Sequence, residues 1–189
     1  MLRIVRIVGI ALVSMLALSG VASGHNFKSS VAGNLKAVTN TNQLFNTGAS
    51  SDVTCTKVAI VKGAATKELQ LSVLAEIEYT GCTVTAFGIK FEATVSLAQY
   101  EFSADNELVR LENTIVIKVP IESCNITVKP QDLKAVLYKN SGKHVVVEAH
   151  VSGIASEASG KACGSGKSTS GTYTGNTEVE VVGGEISWS

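Results

Sequence analysis

The chain has few aromatic, charged and proline residues, and these shortages exclude several classes of protein. Of its 189 residues 5% are aromatic and 17% are charged, acidic and basic side chains balance, and there are two prolines. Beyond the first 24 residues Arg110 is the only arginine, so the basic surface typical of nucleic-acid binding is missing. No long apolar run follows those residues either. We therefore expect no nucleic-acid partner, and no membrane-spanning segment once the N-terminus is removed.

The N-terminus has the three-part pattern of a secretory signal peptide. Arg3 and Arg6 are followed by the apolar run Ile7–Leu18 and then by small residues. A retained membrane anchor is the alternative, because the apolar stretch is long enough to span a bilayer. The small residues favour cleavage, after either Ala22 or Gly24.

Cleavage defines the expected domain organisation. Residues 1–24 form a signal peptide with a helical apolar part, and residues 25–189 form a single domain whose length suits one hydrophobic core. The loss of two arginines lowers the net charge from 0 to −2. We expect the protein to be secreted or to lie on the extracellular face of the cell envelope.

The four cysteines are widely spaced, and no Cys-x-x-Cys pair is present, which disfavours a zinc ribbon or a thioredoxin-type site. Export permits disulfides, and four cysteines allow three connectivities. We favour Cys55–Cys82 and Cys124–Cys163, because sequential hairpins bring sequence neighbours together.

Alternation of apolar and polar residues with a period of two is the dominant pattern, and it predicts half-buried strands. It is clearest over 69–79, 87–97, 115–121 and 145–151. Weaker strands are predicted over 53–61, 107–113, 124–129, 134–139 and 177–182. Turn residues separate these segments at intervals of roughly 8–12 residues. The predicted fold is all-β, a mostly antiparallel β-sandwich, with a closed β-barrel as the alternative.

Three segments depart from this pattern. Pro130–Leu137 is a candidate short helix, with proline at its first position. Val38–Asp52 is rich in Asn, Thr and Ser, and Ser156–Asn176 is rich in Gly, Ser, Thr and Lys. We expect Ser156–Asn176 to be a mobile loop that makes contact with a partner.

Several short motifs occur in a characteristic order along the chain: Cys55, Tyr79-Thr80-Gly81-Cys82, Cys124-Asn125-Ile126-Thr127-Val128, Tyr138-Lys139-Asn140, Val151-Ser152-Gly153-Ile154, Cys163 and Gly171-Thr172-Tyr173-Thr174-Gly175. This order resembles that of secreted actinobacterial proteins of unknown function. The resemblance covers most of the chain after the leader. It implies export and a disulfide-bonded β domain, and no activity or ligand.

His144, Glu148 and His150 are candidate metal ligands. Alternate residues of a strand share one face, so these side chains would project together, and neighbours about 7 Å apart could ligate one ion. The solvent face of an amphipathic strand carries polar residues of the same kind. We favour that interpretation and expect neither a bound metal nor another cofactor.

The alternative functional hypothesis is a copper site at His25. Cleavage after Gly24 would make it the N-terminal residue, with an amine and an imidazole that could chelate copper, which nitrogen ligands suit. His144 or His150 could supply a second imidazole. Such a site resembles the histidine brace of lytic polysaccharide monooxygenases and of small copper carriers.

Two other sequence motifs associated with catalysis or nucleotide binding are incomplete or missing. Gly164–Thr169 is similar to the end of a phosphate-binding loop but lacks its first glycine, and no Gly-x-Ser-x-Gly elbow is present. We therefore expect a non-enzymatic binding, adhesion or structural module with an unidentified extracellular or cell-surface partner. A third possibility is a small-molecule carrier whose ligand lies inside a closed barrel, between the faces led by Leu71 and Phe91.

Overall fold

The computed structural model describes residues 24–39, 41–48, 51–86, 88–105, 108–120, 123–160, 163 and 165–189. The predicted signal peptide and its helix therefore lie outside the described residues, apart from Gly24. The described part of the chain contains no α-helix and forms fifteen β-strands. Their bounds are β1 Phe27–Ser29, β2 Gly33–Thr39, β3 Gln43–Asn46, β4 Asp52–Ala65, β5 Ser72–Ala86, β6 Ile89–Val95, β7 Ala98–Ser103, β8 Leu108–Leu111, β9 Ile115–Val119, β10 Cys124–Val128, β11 Gln131–Leu133, β12 Val136–Ser141, β13 His144–Ser159, β14 Gly166–Val181 and β15 Ile186–Trp188. No helix within these ranges is long and apolar enough to cross a membrane.

All the strand pairings between described residues are antiparallel, and about half of them join strands that follow each other in the chain. The long strands β4, β5, β13 and β14 are each paired with two or more shorter strands. Strands β1 and β15 form a separate two-stranded sheet that joins the two ends of the described chain. The predicted all-β, antiparallel, sandwich-like fold is confirmed.

The two layers are joined at one end and separate at the other. At the joined end, pairing passes from β5 through β6, β9, β10, β13, β14, β3 and β4 back to β5. At the opposite end no ladder between described residues joins β11 to β12. Because this ring of pairings closes at one end only and is open between β11 and β12, the strands do not form a closed barrel.

A side chain partly bridges the gap beside β11. The Nε2 of Gln131 donates to the carbonyl of Ala155 at 3.0 Å, and the amide of Ala155 donates to Gln131 Oε1 at 2.8 Å. These two bonds come after Val128–Ser156, the last backbone pair between β10 and β13. The carboxamide thus continues the ladder by one step.

Apolar residues of the inner faces form one core. Val73, Ala75 and Ile77 on β5 and Ile115 and Ile117 on β9 are buried as the period of two predicts. Each valine or isoleucine among them contributes about 1.5–3 kcal/mol by leaving water.

The inner face does not extend as far as the alternation suggested. Leu69 and Leu71, predicted to face inward, are 61% and 62% exposed. They precede the start of β5 at Ser72, so the strand's alternation does not govern them.

Two segment predictions are wrong. Pro130–Leu137 is not a helix, because β11 pairs with β8 and β12 with β13 on either side of Ala135, whose φ of 64° turns the chain. Ser156–Asn176 is not a long loop, because β13 runs to Ser159 and β14 starts at Gly166. Strand pairing overrides local propensity in both segments. The polar segment Val38–Asp52 also contains a strand, β3.

Both favoured disulfides are confirmed. Cys55 and Cys82 are directly opposite each other on β4 and β5 with their Cα atoms 4.0 Å apart, and Cys124 on β10 joins Cys163 in the connection between β13 and β14. With sequence separations of 27 and 39 residues, each bond stabilises the fold by about 4 kcal/mol in the chain-entropy description.

Candidate functional site

The two layers leave an apolar cavity of about 160 Å³ between their inner faces. Its walls come from strands of both layers and include Phe45, Ile60, Phe102, Val147, Val151 and Val179. An engineered cavity of about 150 Å³ with similar walls stays dry and binds benzene. The cavity is therefore large enough for a molecule the size of one aromatic ring.

Three tyrosines and one glutamine place polar atoms on this apolar wall. The hydroxyls of Tyr79 and Tyr100 lie 3.1 Å apart, and Tyr173 donates a hydrogen bond to Gln43 Oε1. The two pairs lie close together, because Tyr173 raises the pKa of Tyr79. All four residues line the cavity. We call them the tyrosine–glutamine chain; its members lie on β7, β5, β14 and β3.

The glutamine end of this chain is held by the backbone. Gln43 is 2% exposed, and its Nε2 donates to the carbonyls of Thr41 at 3.2 Å and Asn176 at 3.3 Å. A Cβ atom at Gly175 would overlap Gln43 Oε1 and would lie 2.9 Å from the Tyr173 hydroxyl. Glycine at position 175, which has no side chain, therefore leaves room for the carboxamide of Gln43.

Burial keeps the three hydroxyls neutral. Loss of solvation raises the pKa of Tyr79 and of Tyr100 well above the ordinary value of 10; Tyr173 raises that of Tyr79 further, and Tyr79 raises that of Tyr100. Burial also raises the pKa of Tyr173, with a further contribution from Tyr100. At neutral pH the chain therefore offers uncharged O–H groups and oxygen lone pairs.

The structure separates the three predicted candidates on β13. His144 Nδ1 lies 2.6 Å from Glu178 and its Nε2 lies 3.4 Å from Glu180, both on β14. Glu148 is instead paired with Lys139 at 2.6 Å, and His150 is exposed to solvent.

His25 lies near the C-terminus. Its ring stacks on Trp188 with centroids 4.4 Å apart and planes 14° from parallel. Within the described ranges, no group of three or more His, Cys, Asp or Glu residues is placed to hold a metal ion.

Sequence reasoning missed most of the tyrosine–glutamine chain. It placed Tyr79 on an inner face, but assigned no role to Tyr100, Tyr173 or Gln43. A usable signal was present, because all four tyrosines of this aromatic-poor chain lie on strands and none of them is exposed.

No protein-family model, no curated protein and no solved structure matches this chain.

Proposed function

We propose that this protein is a non-enzymatic binding protein that holds a small, mostly apolar molecule in the cavity between its two layers. The observation that carries the proposal is an apolar cavity on whose wall two hydrogen-bonded pairs of polar side chains lie close together. Ligand sites have this composition, because apolar walls supply affinity and a few polar groups supply orientation.

The chemistry of the polar groups suits binding better than catalysis. A tyrosine with a raised pKa stays protonated at neutral pH, so it does not act as a general base there. Its hydroxyl can still form hydrogen bonds with a ligand. We therefore assign Tyr79, Tyr100, Tyr173 and Gln43 to recognition.

The proposed location is the cell exterior. The leader pattern supports export, the resemblance to secreted actinobacterial proteins points the same way, and the two disulfides are consistent with an oxidising compartment. A small-molecule carrier in that setting would act on molecules that reach the cell surface.

The copper hypothesis makes a separate prediction. It requires His25 at the mature N-terminus and a second imidazole beside it, whereas His25 stacks on Trp188 and His144 contacts two glutamates. N-terminal sequencing and a copper titration test this alternative, and we expect no stoichiometric site.

Toluene is a suitable probe of the cavity. A ligand that binds only the folded state raises the melting temperature as its concentration rises. We expect toluene to do so for the wild-type protein and not for Val147→Phe, which fills the cavity. Val182→Phe is the matched control, because Val182 is 46% exposed. Loss of the effect in both variants, or no effect of toluene on the wild type, would contradict the proposal.

A further inference from the structure

The wall of the cavity is interrupted where β11 meets β12 and β13. Within the described ranges, every other strand of the large sheet has at least two ladder partners, whereas β11 pairs only with β8 and β12 only with β13. One edge of β13 has no ladder partner from His150 to Ala155, because the ladder with β12 extends only to Ala149 and the ladder with β10 only to Ser156. Along this edge, backbone pairing therefore does not close the wall.

A short segment lies along this edge and carries part of the cavity wall. Gln131–Ala135, which we call the gate segment, consists of β11 and the turn that follows it. Its Leu133 is 9% exposed and lines the cavity, as do Val151 and Ile154 on the facing stretch of β13. Movement of the gate segment away from β13 would therefore open the cavity beside these side chains.

Single hydrogen bonds, and not a strand ladder, hold the gate segment against β13. The carboxamide of Gln131 makes its two bonds to the backbone of Ala155, and the amide of His150 donates to the carbonyl of Ala135 at 3.1 Å. The two bonds of Gln131 are exposed, so water can replace them when the segment moves. With three residues, β11 is also the shortest strand of the large sheet.

The other side of the gate segment is held by a ladder. Its three strand residues are paired with Val109–Leu111 of β8, and Arg110 Nε donates to Asp132 at 2.8 Å. Separation from β8 would break these backbone pairs together, whereas separation from β13 breaks the single bonds described above. The β13 side is therefore the side that opens more readily.

We propose that the gate segment is the entrance of the cavity: it opens on its β13 side, admits a ring-sized apolar molecule past Leu133 and closes again. This inference rests on the proposed function. It adds the route of the ligand and a residue that controls the rate of its passage. Among the described residues, Gln131 contacts β13 without lining the cavity. Its bonds stabilise the closed segment equally with and without ligand, so they govern opening and not affinity.

Exchange of fluorobenzene, a ring-sized apolar probe, tests the gate. Fluorine NMR exchange spectroscopy gives the dissociation rate constant, a titration gives the dissociation constant, and the two together give the association rate constant. We expect Gln131→Ala to raise both rate constants about five- to thirtyfold, the usual effect of removing two hydrogen bonds, and to leave the dissociation constant unchanged. Weaker binding with an unchanged association rate constant would show that Gln131 acts on the site and not on a gate.

Asn140→Ala is the matched control. The carboxamide of Asn140 also joins a strand edge to a backbone, because it donates to the carbonyl of Trp188 at 2.7 Å and accepts from the amide of Trp188 at 2.8 Å. It lies toward the end of β12 that is remote from the gate segment, and its loss should leave both rate constants unchanged. An equal rise in Asn140→Ala would show that fluorobenzene exchanges through a general loss of stability, which would overturn the gate.

The outcomes distinguish the gate from the proposed function. If fluorobenzene binds with the same two rate constants in the wild type and Gln131→Ala, the gate is wrong and the cavity remains a binding site. If fluorobenzene does not bind the folded wild type, both proposals are wrong.

Discussion

Gly175 on β14 lies directly against the carboxamide of Gln43 on β3, where a methyl group would overlap Oε1. The glycine does not serve a turn here, because it is paired with Ala149 within a strand ladder. Glycine weakens a strand and often marks a close approach by another group. The carboxamide of Gln43, which lies on the cavity wall, is therefore closely packed against the backbone of β14.

The contact predicts a specific coupling between two substitutions. Gly175→Ala should destabilise the protein by about 1–3 kcal/mol, the usual effect of overpacking a core. In a Gln43→Ala background the same substitution should cost much less, because the overlapping carboxamide is gone. Urea unfolding of the two single variants and the double variant gives the coupling free energy. Equal costs of Gly175→Ala in both backgrounds would contradict the contact.

The buried hydroxyls predict a loss of stability at alkaline pH. The pKa values of Tyr79, Tyr100 and Tyr173 are raised in the folded state, so only the unfolded state gains by ionising these groups near pH 10. Their contribution to stability should be fully present below about pH 10 and be lost as the pH rises further.

Ultraviolet absorbance at alkaline pH checks this expectation. Of the four tyrosines, these three should ionise together with unfolding and not before it. Replacing all three with Phe should weaken the dependence of the unfolding free energy on pH. Reversible ionisation of all four near pH 10 in a protein that remains folded would be the opposite result.

The Gln131 bridge predicts a local effect at the gap beside β11. Gln131→Ala removes both bonds to Ala155 and should cost about 1–2 kcal/mol. Gln131→Glu keeps an acceptor for the Ala155 amide but has no donor for its carbonyl. Hydrogen exchange at Ala155 should therefore be fastest in Gln131→Ala. If exchange there is the same in both variants and the wild type, the carboxamide does not hold this edge.

The disulfides predict separate losses of stability. Replacing Cys55 and Cys82 by alanine, or Cys124 and Cys163, should lower the free energy of unfolding by about 2–4 kcal/mol for each pair. The intact protein should contain no thiol that reacts with a sulfhydryl reagent in denaturant, since all four cysteines are paired. Two reactive thiols per chain would show that one bond is missing.

The sequence predicts the fold best where apolar side chains occupy the inner positions. Strand β9, with Ile115, Ile117 and Val119 inward, follows the period of two without exception. Strand β14 does not, because Gly171 and Gly175 occupy inner positions where neighbouring atoms leave no room for a side chain. A strand with glycine on its inner face has the composition of a loop, which is why its first half was predicted as one.

The candidate site is harder to predict than the fold. The inward position of Tyr79 follows from alternation alone. The meeting of its hydroxyl with those of Tyr100 and Tyr173 depends on the register of β5, β7 and β14, and on the curvature that brings these strands around one cavity. A single sequence shows which face a residue occupies, but it does not give the distances across the core.

A structure determined from crystals grown with phenol tests the central claim most directly. We expect one phenol ring between the two layers, with its hydroxyl within hydrogen-bond distance of Tyr79, Tyr100, Tyr173 or Gln43. A core in which side chains fill the space between Phe45, Val147 and Tyr173, with no phenol inside, would contradict the account.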